Sequence, residues 1–127
     1  MIDYACIHAL RLVGVIFAVV GVIALFVPHV LFDPIGVSVT TASGLAEIRA
    51  AYGSFFLCSA GLFWMGSMRA ELRRTSLTWA CMVLTGFVVG RLISLAIDGM
   101  PNGVAMASMG AEIIGAIVAG VLLHFRK

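Results

Sequence analysis

The apolar residues of this chain fall into four long runs, and the polar ones gather in the short segments between them. A bilayer core of roughly 30 Å is crossed by about 20 apolar helical residues, so each run predicts a membrane-spanning helix. The first run covers about 7–27 and stops at Pro28, with Asp33, Pro34 and Gly36 marking the loop that follows. The second covers about 45–68, and its start carries a capping signature, Ser43 or Gly44 at the N-cap and Glu47 three or four residues on. The third, about 76–97, gives way to Asp98-Gly99-Met100-Pro101-Asn102-Gly103, the strongest turn signal in the chain, and the fourth covers about 104–125. The first run is too long for a signal peptide and no A-x-A-like cleavage site follows it, so it reads as a true span.

Composition narrows the class further. Of 127 residues 62% are hydrophobic and 11% charged, with a mean hydropathy of +1.14, whereas a typical soluble domain has about 25% charged residues. Fourteen charged side chains cannot clothe a soluble core of this size, leave no room for a separate soluble domain, and build no basic face for nucleic acid. The whole chain, 1–127, therefore reads as one transmembrane domain.

The distribution of Lys and Arg gives a direction. Between the second and third runs stand Arg69, Arg73 and Arg74 against Glu71, and the chain ends Arg126-Lys127, while the loops around Asp33 and Asp98 hold neither Lys nor Arg. The positive-inside rule then puts both termini and the middle loop in the cytoplasm, as for a multi-pass protein of the cell inner membrane, with membrane lipid as its surroundings. Trp64 and Trp79 fall near the inner ends of their spans, where an aromatic belt belongs. Cys6, Cys58 and Cys81 have neither paired spacing nor neighbouring His ligands, so neither a disulfide framework nor a metal site is expected, and no cofactor is implied.

Helices in lipid associate by close backbone approach. Small residues at spacing four line Gly86, Gly90 and Ser94 on the third span, Ala107, Ala111, Gly115 and Ala119 on the fourth, and Gly14 with Ala18 on the first. With short loops between spans, the expected fold is all-α: an integral membrane, antiparallel four-helix bundle with both termini cytoplasmic. Some of these faces could instead serve a homo-oligomer.

The remaining charges carry the candidate chemistry. Glu47 and Arg49 open the second span, Arg91 and Asp98 lie in the outer part of the third, and Glu112 sits about two turns into the fourth. A lone charge at a helix centre costs about 2.5 to 3.5 kcal/mol, so Arg91 and Glu112, each roughly 10 Å below its helix end, are expected to face inward and pair. Arg91 and Asp98 are seven apart and share a face, as do Arg49 and Tyr52 at a spacing of three. A carboxylate at a helix C-terminus opposes the dipole, which makes Arg49 the candidate to compensate Asp98. Glu47 doubles as a helix-start residue, and the hydroxyls of Tyr52 and Ser94 complete the set. A buried pair can simply fix helix register; five charges from three helices exceed what a register device needs. Of the other polar residues, His29 stands at the rim of the same region, while His8 and His124 read as interfacial.

Taken together, Glu47-Ile48-Arg49-Ala50-Ala51-Tyr52-Gly53, then Arg91, then Asp98-Gly99-Met100-Pro101, then Glu112 resemble the pattern of a family of short bacterial four-pass membrane proteins catalogued as a domain of unknown function. The resemblance covers nearly the whole chain in length and span order. Where the family usually continues its E-x-R-A-x-Y-G element with a second glycine, this chain has Ser54. The resemblance implies a four-helix membrane fold and that these polar positions belong together; it implies no activity.

Two function classes follow. In the first, the charged pocket in the outer half of the bilayer binds a small apolar or amphipathic molecule, and as an enzyme it is a cofactor-independent acid–base catalyst of double-bond isomerisation or epoxide opening. Glu112 is then the proton-transferring residue, Asp98 the second carboxylate, and Arg91 the group that orients the ligand or stabilises negative charge, with Glu47, Arg49, Tyr52 and Ser94 lining the site. In the second, the chain is an oligomeric small-molecule or ion transporter or channel, or an accessory membrane subunit. The inner halves of the spans carry no charge between the cytoplasmic rim and the cluster, which favours a pocket over a through-path.

Overall fold

The computed structural model describes residues 1–126; Lys127, counted above among the inner-face cations, lies outside the described residues. Every regular element among them is helical: α1 (Ile2–Phe26), α2 (His29–Phe32), a 3-10 turn (Asp33–Ile35), α3 (Ala42–Ile48), a π-helical segment (Arg49–Ser54), α4 (Phe55–Met68), α5 (Ala70–Asp98) and α6 (Gly103–Phe125). Of these, α1, α5 and α6 are each long and apolar enough to cross a membrane, as a membrane protein requires.

Local chemistry sets the boundaries. α1 stops where Pro28 removes a donor, and the chain reverses through a turn closed by Gly36 in the left-handed region, φ 82°. The cap of the next helix is Thr41, not the expected Ser43 or Gly44: its backbone is extended and its hydroxyl accepts from the Gly44 N–H at 3.1 Å, so the helix starts at Ala42. From α3 the backbone runs through the π segment into α4 with helical torsions on both sides. This widened turn lies where the chain crosses α1 most closely, since a side chain at Gly53 would run into Leu25 and one at Gly21 into Leu57.

The connection from α4 to α5 is a single extended residue, Arg69. α5 begins at Ala70, ahead of the apolar run, because Glu71, Leu72, Arg73 and Arg74 are good helix formers and the helix propagates beyond the apolar stretch. It ends at Asp98, before Gly99 at φ 92°. α6 is capped by Asn102, whose Oδ1 accepts from the Ala105 N–H at 3.0 Å while its Nδ2 donates to the Pro34 carbonyl at 2.8 Å. That side chain ties the start of α6 to the loop after α1.

α1 packs on α4, α4 on α5, α5 on α6, and α6 returns to α1. The main core sits toward the end that holds both chain termini: Cys6, Leu10 and Phe17 of α1, Ala60 and Phe63 of α4, Leu77, Ala80 and Leu84 of α5, Ala119 and Leu122 of α6. A separate small core, Ala24, Phe32 and Ile48, joins the far end of α1 to α2 and α3. No described residue of α5 beyond Leu84, and none of α6 before Ala119, is buried. Burial is therefore concentrated at the termini end and thins along α5 and α6 toward the other. Of the small residues, Gly14 meets Phe63 and Gly115 meets Leu84, whereas Gly86 and Gly90 face open space.

Candidate functional site

Arg91 lies seven residues before the end of α5, and Glu112 nine after the start of α6. At about 1.5 Å per residue both are two to three turns from the helix ends, on neighbouring antiparallel helices. The guanidinium meets the carboxylate side-on, Nε to Oε2 at 2.7 Å and Nη2 to Oε1 at 2.9 Å. Such a two-bonded pair is stronger and more sharply oriented than a single contact. The Glu112 side chain is 15% exposed and that of Arg91 35%, and Nη1 of Arg91 has no partner among the described residues.

An aromatic shelf stands beside the pair. Phe87, one turn below Arg91 on α5, stacks on Phe56 of α4 at 5.8 Å between ring centroids, and Phe56 is stacked with Tyr52 at 6.5 Å. Phe32 meets the Tyr52 ring edge-on at 4.9 Å, and Phe17 supports Phe56 from the core side at 4.7 Å. Tyr52 remains 45% exposed. The π segment that carries it packs on α1, α3 and α4, and α5 packs on α4 and α6. Arg91 and Glu112 stand beside this row of rings, with Phe87 one turn from Arg91 on α5.

The other predicted residues divide. Ser94 donates its hydroxyl to Oδ2 of Asp98 at 2.8 Å, making a second polar pair one to two turns above Arg91 on the same helix. Arg49 does not compensate Asp98: no ion pair joins them among the described residues, and its Nε instead donates to the Leu25 carbonyl at 2.9 Å. The reason is Pro28. By ending α1 it leaves last-turn carbonyls without their usual donors, and Arg49 caps one of them. The Ser54 hydroxyl in turn reaches the Arg49 carbonyl at 3.4 Å across the π turn. Glu47 is exposed and has no hydrogen-bond or ionic partner among the described residues. His29 pairs loosely with Asp33 on its own turn, at 3.9 Å. The five charges thus form one cross-helix pair, one carboxylate held by a neighbouring hydroxyl, and two separate side chains.

A second cluster, at the termini end, was not singled out from the sequence. Arg73 is only 7% exposed; its Nη1 donates to Asp3 Oδ1 at 3.0 Å and its Nε to the Gly66 carbonyl at 3.2 Å. Arg126 reaches the same Asp3 oxygen at 3.3 Å and donates to the Ala70 carbonyl at 3.1 Å. The cluster ties the start of α1, the end of α4, the start of α5 and the end of α6. Asp3 lies ahead of the apolar stretch 7–27, and the hydrogen bond from Arg73, with the charge of Arg126 behind it, holds its carboxyl below the usual carboxylate range. The signal was available in helical period: Arg73 shares its stripe with Leu77, Ala80 and Leu84, all buried.

Residues 8–123 match the family described as a domain of unknown function (DUF4345), and the chain belongs to that family. No curated protein and no solved structure matches the chain.

Proposed function

We propose that this member of the DUF4345 family crosses the inner membrane four times, with both termini cytoplasmic, and holds in the outer half of the bilayer a site for a small apolar or amphipathic molecule. The fourth crossing is the helical stretch 42–68, whose α3, π and α4 segments follow one another without a break. The observation that carries the reading is the half-open Arg91–Glu112 pair beside an aromatic shelf. A pair that only fixed helix register would gain from being closed on every side, because an uncommitted N–H in an apolar medium costs free energy. Here the last buried residue of α5 is Leu84, and Nη1 of Arg91, without a partner among the described residues, is left for a ligand oxygen. The apolar body of that ligand would lie along Phe56, Phe87 and Tyr52, entering between the π segment and the outer part of α5.

Turnover at such a site is proton transfer without a cofactor, isomerisation or epoxide opening. Glu112, both of whose oxygens accept from Arg91, is the proton-transferring residue of this reading. Asp98, which accepts only from Ser94 among the described residues, is the second carboxylate. Arg91 holds the substrate oxygen.

The test is extraction and mass spectrometry of small molecules that stay with the purified protein. The wild type is expected to retain a discrete apolar or amphipathic compound besides bulk lipid, and R91Q to lose it. R91Q/E112Q, which leaves no unpaired charge, is the control for folding. Identical extracts from all three proteins would remove the site. Proton-coupled flux in proteoliposomes that disappears in E112Q would replace the pocket with a transport path.

A further inference from the structure

A groove of about 530 Å³ runs along the seam of α4 and α5 at the end opposite the Arg91–Glu112 pair, lined by Leu62, Glu71, Arg74, Thr75, Trp79 and Met82. Arg74 and Arg91 are seventeen residues apart on one helix, so the two places are separated by about 25 Å.

The lining changes character along the axis. Glu71, Arg74 and Thr75 occupy the start of α5, with Trp79 and Met82 two to three turns deeper and Leu62 across the seam on α4. The spacings of three, four, eight and eleven from Glu71 keep them close to one side of the helix. From Glu71 to Met82 the groove extends about 16 Å. The Trp79 indole is pinned by its N–H donating to Ser59 Oγ at 3.1 Å, so its ring forms a fixed wall. Glu71 and Arg74 are exposed, do not pair with each other, and have no side-chain partner among the described residues, unlike Arg73 between them. An uncommitted acid and an uncommitted base one turn apart, at the mouth of a slot that turns apolar, match a ligand that carries an ammonium, a phosphate and a hydrocarbon chain.

We propose that this groove is a binding site for a phospholipid with an ethanolamine head group. The phosphate lies against Arg74 and the hydroxyl of Thr75, the ammonium against Glu71, and one acyl chain along Trp79, Met82 and Leu62. A glycerol head group brings the same phosphate but no cation for Glu71, and is disfavoured.

The experiment is native mass spectrometry of the full chain in detergent, titrated with dioleoyl phosphatidylethanolamine or dioleoyl phosphatidylglycerol. The ethanolamine lipid is expected to bind with about fivefold preference, the scale of one exposed ion pair. E71Q is expected to abolish the preference while keeping the glycerol lipid, and R74Q to weaken both. R91Q, in the other site, is expected to change neither, which separates this proposal from the outer pocket. Glycerophosphoethanolamine, the same head group without acyl chains, is expected not to compete. Equal retention of the two lipids by the wild type, an unchanged preference in E71Q, or competition by the chain-free head group would each overturn the assignment.

Discussion

Arg91 and Glu112 were legible as a pair because depth in a membrane helix can be counted from the turns at either end, and both came out at one level. Arg49 was not, because its partner is a carbonyl, and a carbonyl orphaned by Pro28 leaves no mark on the sequence pattern. This difference has measurable consequences. Removing either partner of the Arg91–Glu112 pair strands the other charge, so R91Q or E112Q alone is expected to lower stability by about 3 kcal/mol, and R91Q/E112Q to recover at least half of it. Thermal unfolding of the detergent-solubilised protein, or trapping of the unfolded state in bicelles, reads the difference; a double variant no better than the worse single one would show that the two side chains do not depend on each other. R49A removes a charged hydrogen bond to a helix end and is expected to cost about 1.5 kcal/mol, whereas E47Q, with no partner to lose, stays within about 0.5 kcal/mol of the wild type.

At the scale of elements, the first, third and fourth apolar runs coincide with α1, α5 and α6, apart from the earlier starts of α1 and α5, while the second falls on α3, the π segment and α4 and carries no sign of the π turn. A π turn adds a residue to one turn without changing composition, and only the crossing of α1 at Gly21 and Gly53 gives a reason for it here. Spacing of small residues was a weaker guide than the runs. Gly66 packs so closely on Ser76 that a side chain would collide with its hydroxyl, although it belonged to none of the expected faces, while Gly86 and Gly90, which did, meet nothing. G66A and G53A are therefore expected to destabilise by about 1–3 kcal/mol through overpacking. G90A, in open space within a helix, is expected to be neutral or to stabilise by up to about 1 kcal/mol. Both are read by the same unfolding measurement. A loss on G90A accompanied by a change in oligomeric mass would assign that face to a second copy of the chain.

For the molecule as a whole, burial and the tightest charge cluster are gathered at one end. The core fills the half nearest the termini, and there the Asp3, Arg73 and Arg126 cluster fastens four helix ends around a guanidinium that is almost wholly buried. Charge distribution alone marked this end as an excess of cations; that one of them turns inward follows from the stripe it shares with Leu77 and Leu84, not from its charge. Because Arg73 holds the Asp3 carboxyl below its ordinary value of 3.8, the lock has a defined pH dependence. A depressed carboxylate pKa contributes stability that is fully present above the unfolded value and lost as pH falls through the folded one. The wild type is thus expected to exceed D3N in unfolding temperature at neutral pH, with the gap narrowing only below about pH 3.8 and closing as the bound carboxylate takes up its proton. A constant gap across that range would mean that D3N acts through packing rather than charge. Since the cluster lies at the far end of α5 from Arg91, D3N is also expected to leave any compound retained by the outer site in place, whereas R91Q loses it with the lock intact.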